Sequence, residues 1–175
     1  MNSKVTLHDG RHIRLVARNG WEYAERKSVT GIVGIVAVTD DNKLILVEQF
    51  RVPLQKNVIE LPAGLAGDVA GSEHEPLAAA AKRELLEETG YTAQEMESLS
   101  EGAVSAGITD EIITLFRARG LEKTSGGGGD GSENITVHTI DLAAVPRWLE
   151  ERRKGGAAVD WKVYAGMYFL SSGKL

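Results

Sequence analysis

Polar and apolar positions alternate with a period of two along the first third of the chain. Over residues 11–17, Ile13, Leu15 and Ala17 share one face and His12, Arg14 and Val16 the other. Over 21–26, Trp21, Tyr23 and Glu25 oppose Glu22, Ala24 and Arg26. Asn19-Gly20 between the two runs predicts a two-residue hairpin turn, because both residues tolerate the left-handed backbone such a turn needs. Residues 31–38 are apolar on both faces, which predicts a strand covered on both sides. Asp40-Asp41-Asn42 marks a turn, and 43–50 a strand that pairs back. The texture then changes. Residues 64–74 hold three glycines and two carboxylates and read as a loop. From Pro76 to about Thr89 the residues are strong helix formers, with Pro76 suited to the first helical position and Gly90 to the C-terminal cap. Short strands follow near 99–105 and 111–118, then a flexible glycine-rich loop over 124–132 and a strand over 134–140. A helix runs from 142 or 146 to 154. Asp160 caps a last one, with Trp161, Tyr164, Ala165, Tyr168 and Phe169 on one stripe. Strands interleaved with three helices imply an α/β fold, a mixed sheet covered by helices.

Composition narrows the chemistry. The 175 residues suit one domain, and 42% hydrophobic with 26% charged residues argues against disorder. Twenty basic against 25 acidic residues leave a net charge of −5, which supports neither nucleic-acid nor anionic-membrane binding. The chain has no cysteine, so thiolate nucleophiles, disulfides and cysteine metal sites are excluded. No apolar run approaches the roughly 20 residues of a membrane span, and the N-terminus lacks the apolar stretch of a secretory signal. A cytoplasmic protein is expected, with any metal held by oxygen or histidine.

Glu84, Glu87 and Glu88 stand at i, i+3 and i+4 of the helix and share a face. A solvated acidic surface is the ordinary explanation of such a face. Three features favour another. No lysine or arginine follows the cluster within the helix, the cluster sits where the helix dipole disfavours negative charge, and a glycine-rich loop precedes the helix. A dense set of oxygen ligands suits a hard cation, Mg²⁺ or Mn²⁺ rather than Zn²⁺. His8 and His12 straddle Gly10 and would not share a helical face. The chain has neither a P-loop nor a Gly-x-Ser-x-Gly elbow. Trp21 and Tyr23 can stack on a base, or serve as packing or interface residues.

Glu75, seven residues, then Arg83-Glu84-Leu85-Leu86-Glu87-Glu88-Thr89-Gly90-Tyr91 resembles the Nudix box. The box glycine belongs six positions before Glu75, where Val69 stands. Gly64, eleven positions before Glu75, takes its place if the loop carries a five-residue insertion within 65–74. The resemblance implies a Nudix-type α/β/α sandwich over 29–175. It also implies a Mg²⁺-dependent hydrolase (Mn²⁺ a possible substitute) of nucleoside diphosphates linked to another group. Glu84 and Glu88 would be the main metal ligands, with Glu87 beside them and the Ala63 carbonyl a further ligand. Arg83 would pair with Glu75 and hold the carboxylates in place. Glu75 alternatively belongs to a capping box with Ser72.

Three flanking stretches are similar to the ADP-ribose pyrophosphatase branch: Glu60-Leu61-Pro62-Ala63-Gly64, Val47-Glu48-Gln49-Phe50-Arg51 and Ser105-Ala106-Gly107-Ile108-Thr109-Asp110-Glu111. Ala106 replaces the proline usual in that branch, which broadens the expected substrate from ADP-ribose to nucleotide sugars such as GDP-mannose. The resemblance implies phosphate contact by Arg51, a cleft flanked by Glu60 and Gly107, and a catalytic role for Glu111, as base or as a transient metal ligand. Glu133 is the rival base, and Trp21 a further substrate contact. Residues 1–28 are expected to form strands that exchange in a homodimer. The alternatives are a non-catalytic nucleotide sensor, or a pyrophosphatase for dinucleoside polyphosphates, NADH or oxidised nucleoside triphosphates. A sensor would be expected to lose a box carboxylate, and none is lost.

Overall fold

The computed structural model describes residues 3–69, 71–129 and 134–172. The N-terminal segment forms an antiparallel sheet, β1 (Val5–Asp9), β2 (Ile13–Arg18) and β3 (Trp21–Arg26). Asn19 and Gly20 both take positive φ, 55° and 77°, and pair Arg18 with Trp21 as the hairpin reading requires. β1 lies outside the sequence reading. It is a short, fully exposed edge strand with an irregular register between Thr6 and His8, so its pattern is weak.

The rest of the chain is α/β with two mixed four-stranded sheets. One has the order β7-β4-β9-β8, from β4 (Gly31–Ala37), β7 (Ala63–Ala66), β8 (Tyr91–Ala103) and β9 (Ile112–Lys123). β4 runs parallel to β9 and antiparallel to β7. The other has the order β10-β5-β6-β11, from β5 (Lys43–Arg51), β6 (Lys56–Glu60), β10 (Thr136–Asp141) and β11 (Ala158–Val159).

Helix α1 (Leu77–Thr89) packs Ala80, Ala81 and Leu85 against Val33, Ile35 and Phe116. A second core gathers Val36, Leu46, Ile59, Leu61 and Leu115 beneath α2 (Val145–Lys154) and α3 (Trp161–Ser171). β4 therefore buries both faces, as its unbroken apolar run predicts. Among the described residues no helix is long and apolar enough to cross a membrane.

Several expectations need correction. Ala63–Ala66 is strand rather than loop, because β4 offers it a partner from Gly31↔Ala66 to Gly34↔Ala63. The hairpin β8–β9 is far longer than the two short strands expected. The polar residues of β8 hide it, since long-range pairing and not alternation makes it a strand. On α3 the buried residues are Val163 and Gly166, while Trp161 and Tyr168 are exposed. This helix is apolar almost all round, so periodicity could not choose its inner face. Gly166 decides it, since a Cβ there would lie 3.1 Å from Val36 and 3.3 Å from Leu61. Asp160 does cap α3, accepting from Lys162 N at 2.7 Å.

Candidate active site

Helix α1 begins after Pro76, which acts as its N-cap, and ends at Gly90, a left-handed cap (φ 74°) that donates its N–H to Leu86 O at 2.8 Å. This rigid helix carries the acidic face across β7. Glu88 is buried, and its Oε2 accepts the Ala63 N–H at 3.0 Å. Glu84 Oε1 accepts the Leu65 N–H at 3.3 Å. Glu87 is more exposed. Gly64 lies beneath Glu84 so closely that a Cβ would stand 1.9 Å from the carboxyl carbon. A side chain there would push the Glu84 carboxylate aside, which fits Gly64 as the displaced box glycine.

Arg83 is the hub of the cluster. Its Nε and Nη2 reach the two Glu75 oxygens at 3.2 and 3.0 Å, and Nη2 also donates to Leu65 O at 2.8 Å. Its Nη1 reaches Glu84 Oε1 at 2.8 Å and Glu87 Oε2 at 3.3 Å. The expected Arg83–Glu75 pair is thus present, and Glu75 points to Arg83 rather than into a capping box. Hydrogen bonding to Arg83 lowers the Glu75 carboxyl below its usual range. Burial pushes Glu84 the other way, up to about 7, against the pull of Arg83. A half-buried carboxylate with so raised a pKa is set up to gain from a further cation.

The donor set fits a hard divalent cation: carboxylate oxygens from Glu84, Glu87 and Glu88 beside the β7 backbone, in a cradle kept open by Gly64. Among the described residues these carboxylates do not converge as a closed cage. Glu84 and Glu87 lean to Arg83, and Glu88 leans to Ala63.

The glycine-rich segment is not a free loop where it is described. Gly128 N and Gly129 N donate to Glu88 O and Glu87 O at 2.8 and 3.1 Å, Ser125 N to Gly90 O at 3.1 Å, and Lys123 Nζ to Thr89 O at 2.6 Å. These donors satisfy carbonyls that a helix C-terminus leaves unpaired. Residues 130–133, with the rival base Glu133, lie outside the described residues.

The remaining candidates fall into two groups. Arg51 Nε pairs with the buried Glu60 at 2.7 Å, so two residues read separately form one unit on neighbouring strands. Trp21, Gly107 and Glu111 form the other. Trp21 Nε1 donates to Gly107 O at 3.1 Å, and Glu111 Oε1 accepts from Arg26 Nε at 2.7 Å. Arg26 escaped the sequence reading because it lies 85 residues from its partner and carries no local motif. A cavity of about 460 Å³, lined by Leu54, Val58, Ile113, Leu115, Trp161 and Phe169 among others, contains none of the α1 carboxylates. A recess of about 340 Å³ lies between Trp21, Tyr23 and Asp110.

Residues 30–161 match the NUDIX domain family. The chain is 39% identical to a methanol dehydrogenase activator of Bacillus methanolicus, over 70% of this chain and 64% of that protein. It is 44% identical to an ADP-ribose pyrophosphatase of Bacillus subtilis (strain 168), again over 70% of this chain and 64% of the relative. The chain thus spans a little under two thirds of each. The fold is similar to a crystal structure of an ADP compounds hydrolase, with a TM-score of 0.67 and 24% identity, covering 85% of this chain and 80% of that one.

Proposed function

The chain belongs to the NUDIX family, and from that premise we propose that it hydrolyses the diphosphate bond of a nucleoside diphosphate linked to a sugar. ADP-ribose, or a nucleotide sugar such as GDP-mannose, is the substrate class. The observation that carries this reading is the acidic face of α1 held over β7, with Glu88 on Ala63 N and Glu84 on Leu65 N. The resemblance to an ADP-ribose pyrophosphatase supports the choice of substrate.

In this reading Glu84, Glu88, Glu87 and the Ala63 carbonyl hold Mg²⁺, with Mn²⁺ as a substitute. When bound, the cation supplies charge neutralisation on the diphosphate oxygens and acidifies water. Arg83 is not catalytic. Its forked guanidinium spaces Glu75, Glu84 and Glu87. Arg51 binds phosphate and is held by Glu60. Trp21 and Gly107 line the substrate side. Water adds to one phosphorus, the bridging P–O bond breaks, and a nucleoside monophosphate and a sugar phosphate leave. The proton lost by the water passes to Glu111. The panel that tests this offers ADP-ribose, GDP-mannose, NADH, a dinucleoside polyphosphate and an oxidised nucleoside triphosphate with Mg²⁺, with products resolved by chromatography. Turnover of the first two to a monophosphate and a sugar phosphate is expected. Cleavage confined to the last three, or none, rejects the substrate class.

A homodimer formed through the N-terminal strands belongs to the same reading, with residues 1–28 as the dimerisation segment and 29–175 as the hydrolase domain. Val5, Leu7, Ile13 and Leu15 are 40–53% exposed, which is apolar surface in want of a partner. Sedimentation at micromolar concentration is expected to give twice 18.9 kDa, and deletion of residues 1–27 to abolish activity. A clean monomer rules the dimer out. A cytoplasmic setting completes the reading, on the strength of the cysteine-free, acidic composition.

A further inference from the structure

The loop between β8 and β9 is laid along the edge of β3 as though it were a fourth strand of the N-terminal sheet. Ala24 forms a parallel bridge with Thr109 and donates its N–H to Ile108 O at 2.8 Å. Trp21 Nε1 holds Gly107 O, and Arg26 Nε holds Glu111 Oε1 at 2.7 Å. Three contacts along one edge therefore meet the loop in order, 21 to 107, 24 to 108 and 26 to 111. The loop's own bonds are local. Ile108 N and Thr109 N close a turn on Ser105 O, and Glu111 N reaches Thr109 Oγ1 at 3.3 Å. At Glu111 the ladder to β8 is already long, 3.4 Å from Val104 N to Glu111 O.

The ion pair at the end of this edge differs from the solvent-spread pairs elsewhere. The side chains of Arg26 and Glu111 are 34% and 19% exposed, against 87% and 57% for Arg147 and Glu151. Partial burial reduces screening, and a guanidinium keeps its charge at every working pH.

We propose that Arg26 is a positioning residue, and that the N-terminal sheet acts through it to hold the Glu111 carboxylate where it takes up the proton of the attacking water. This rests on Glu111 as the proton acceptor. On this proposal strands outside the carboxylate-bearing domain are needed for turnover, because β3 is the template on which the catalytic loop takes its shape.

The test compares full-length wild type, Arg26→Ala, Arg26→Lys, Glu111→Gln and the Arg26→Ala/Glu111→Gln double variant, with Mg²⁺ and the substrate turned over best in the panel. Arg26→Ala is expected to lower kcat about tenfold and leave KM within about twofold, because the interaction matters chiefly in the transition state. Arg26→Lys, which keeps the charge, recovers most of kcat. The double variant is no slower than Glu111→Gln alone, the non-additivity expected of residues acting as one unit. A crippled Glu111→Gln beside a normal Arg26→Ala, or losses that multiply in the double variant, overturns the role of Arg26 and leaves Glu111 standing. A near-normal Glu111→Gln removes both. Hydrogen exchange across 105–111 needs no turnover. It rises in Arg26→Ala and not in Arg26→Lys, and unchanged exchange overturns the clamp whatever the substrate.

Discussion

Replacing Glu88 by Gln lowers kcat by about a hundredfold or more, or about 2.7 kcal/mol at about 1.36 kcal/mol per decade. The change keeps size and leaves an amide oxygen to accept the Ala63 N–H, so the bond between α1 and β7 survives. What is lost is one negative charge from a buried position beside Glu84. The effect therefore falls on cation binding and not on folding. Chelation by EDTA has the same result in the wild type, and Mn²⁺ restores turnover as Mg²⁺ does. The metal-free variant melts no lower than the metal-free wild type, because one of several crowded carboxylates has gone. A fully active Glu88→Gln protein, or undiminished turnover in chelator, removes the metal assignment.

The second large effect belongs to Glu111. A carboxylate that ligates a cation has its pKa pulled down and makes a poor base, so the proton acceptor should come from outside the α1 cluster. Glu111 lies outside that cluster, on the loop held against β3 by Arg26. Glu111→Gln is expected to cut kcat steeply, about a hundredfold, within the usual range for a lost general base, and to change KM little. Rate measurements under saturating substrate and at low substrate separate the two constants. If Glu133→Gln is the crippled variant and Glu111→Gln is near wild type, the roles are exchanged. If both are mild, neither carboxylate is the base.

Much of this was legible because it is local. The α1 carboxylates, Gly90 and Arg83 with Glu75 lie within sixteen residues, where the helix fixes all but Glu75, which Arg83 holds just before it. The turn at Asn19-Gly20 and the doubly covered β4 follow from backbone tolerance and an unbroken apolar run. What escaped depends on partners distant in sequence. β7 is a strand only because β4 lies beside it, and β8 only because β9 does. Arg51 and Glu60 were found singly, but their pairing needs the β5–β6 register. On α3, an almost wholly apolar helix, only the close approach of Gly166 to β4 selects the inner face.

The glycine run over 126–129 bears on how the chain tolerates redesign. Such a run looks like the natural place to insert a tag, shorten a loop or open new termini. Here it is a poor choice. A Cβ on Gly127 would lie 2.4 Å from the Thr89 carbonyl carbon, and one on Gly90 would lie 2.2 Å from Ser125 O. Backbone meets backbone at both points, so no rotamer relieves the clash. A single alanine at 127 would lever the segment off the end of α1 and free the carbonyls of Glu87 and Glu88, two of the residues expected to hold the cation. Gly20, whose added Cβ would meet nothing within 4 Å, sits in an exposed turn but holds a left-handed backbone (φ 77°), so a side chain is strained there for a different reason. In this chain the stretch of lowest sequence complexity is pinned at Gly127 by neighbouring backbone, while an ordinary-looking hairpin turn is constrained by its own backbone angles.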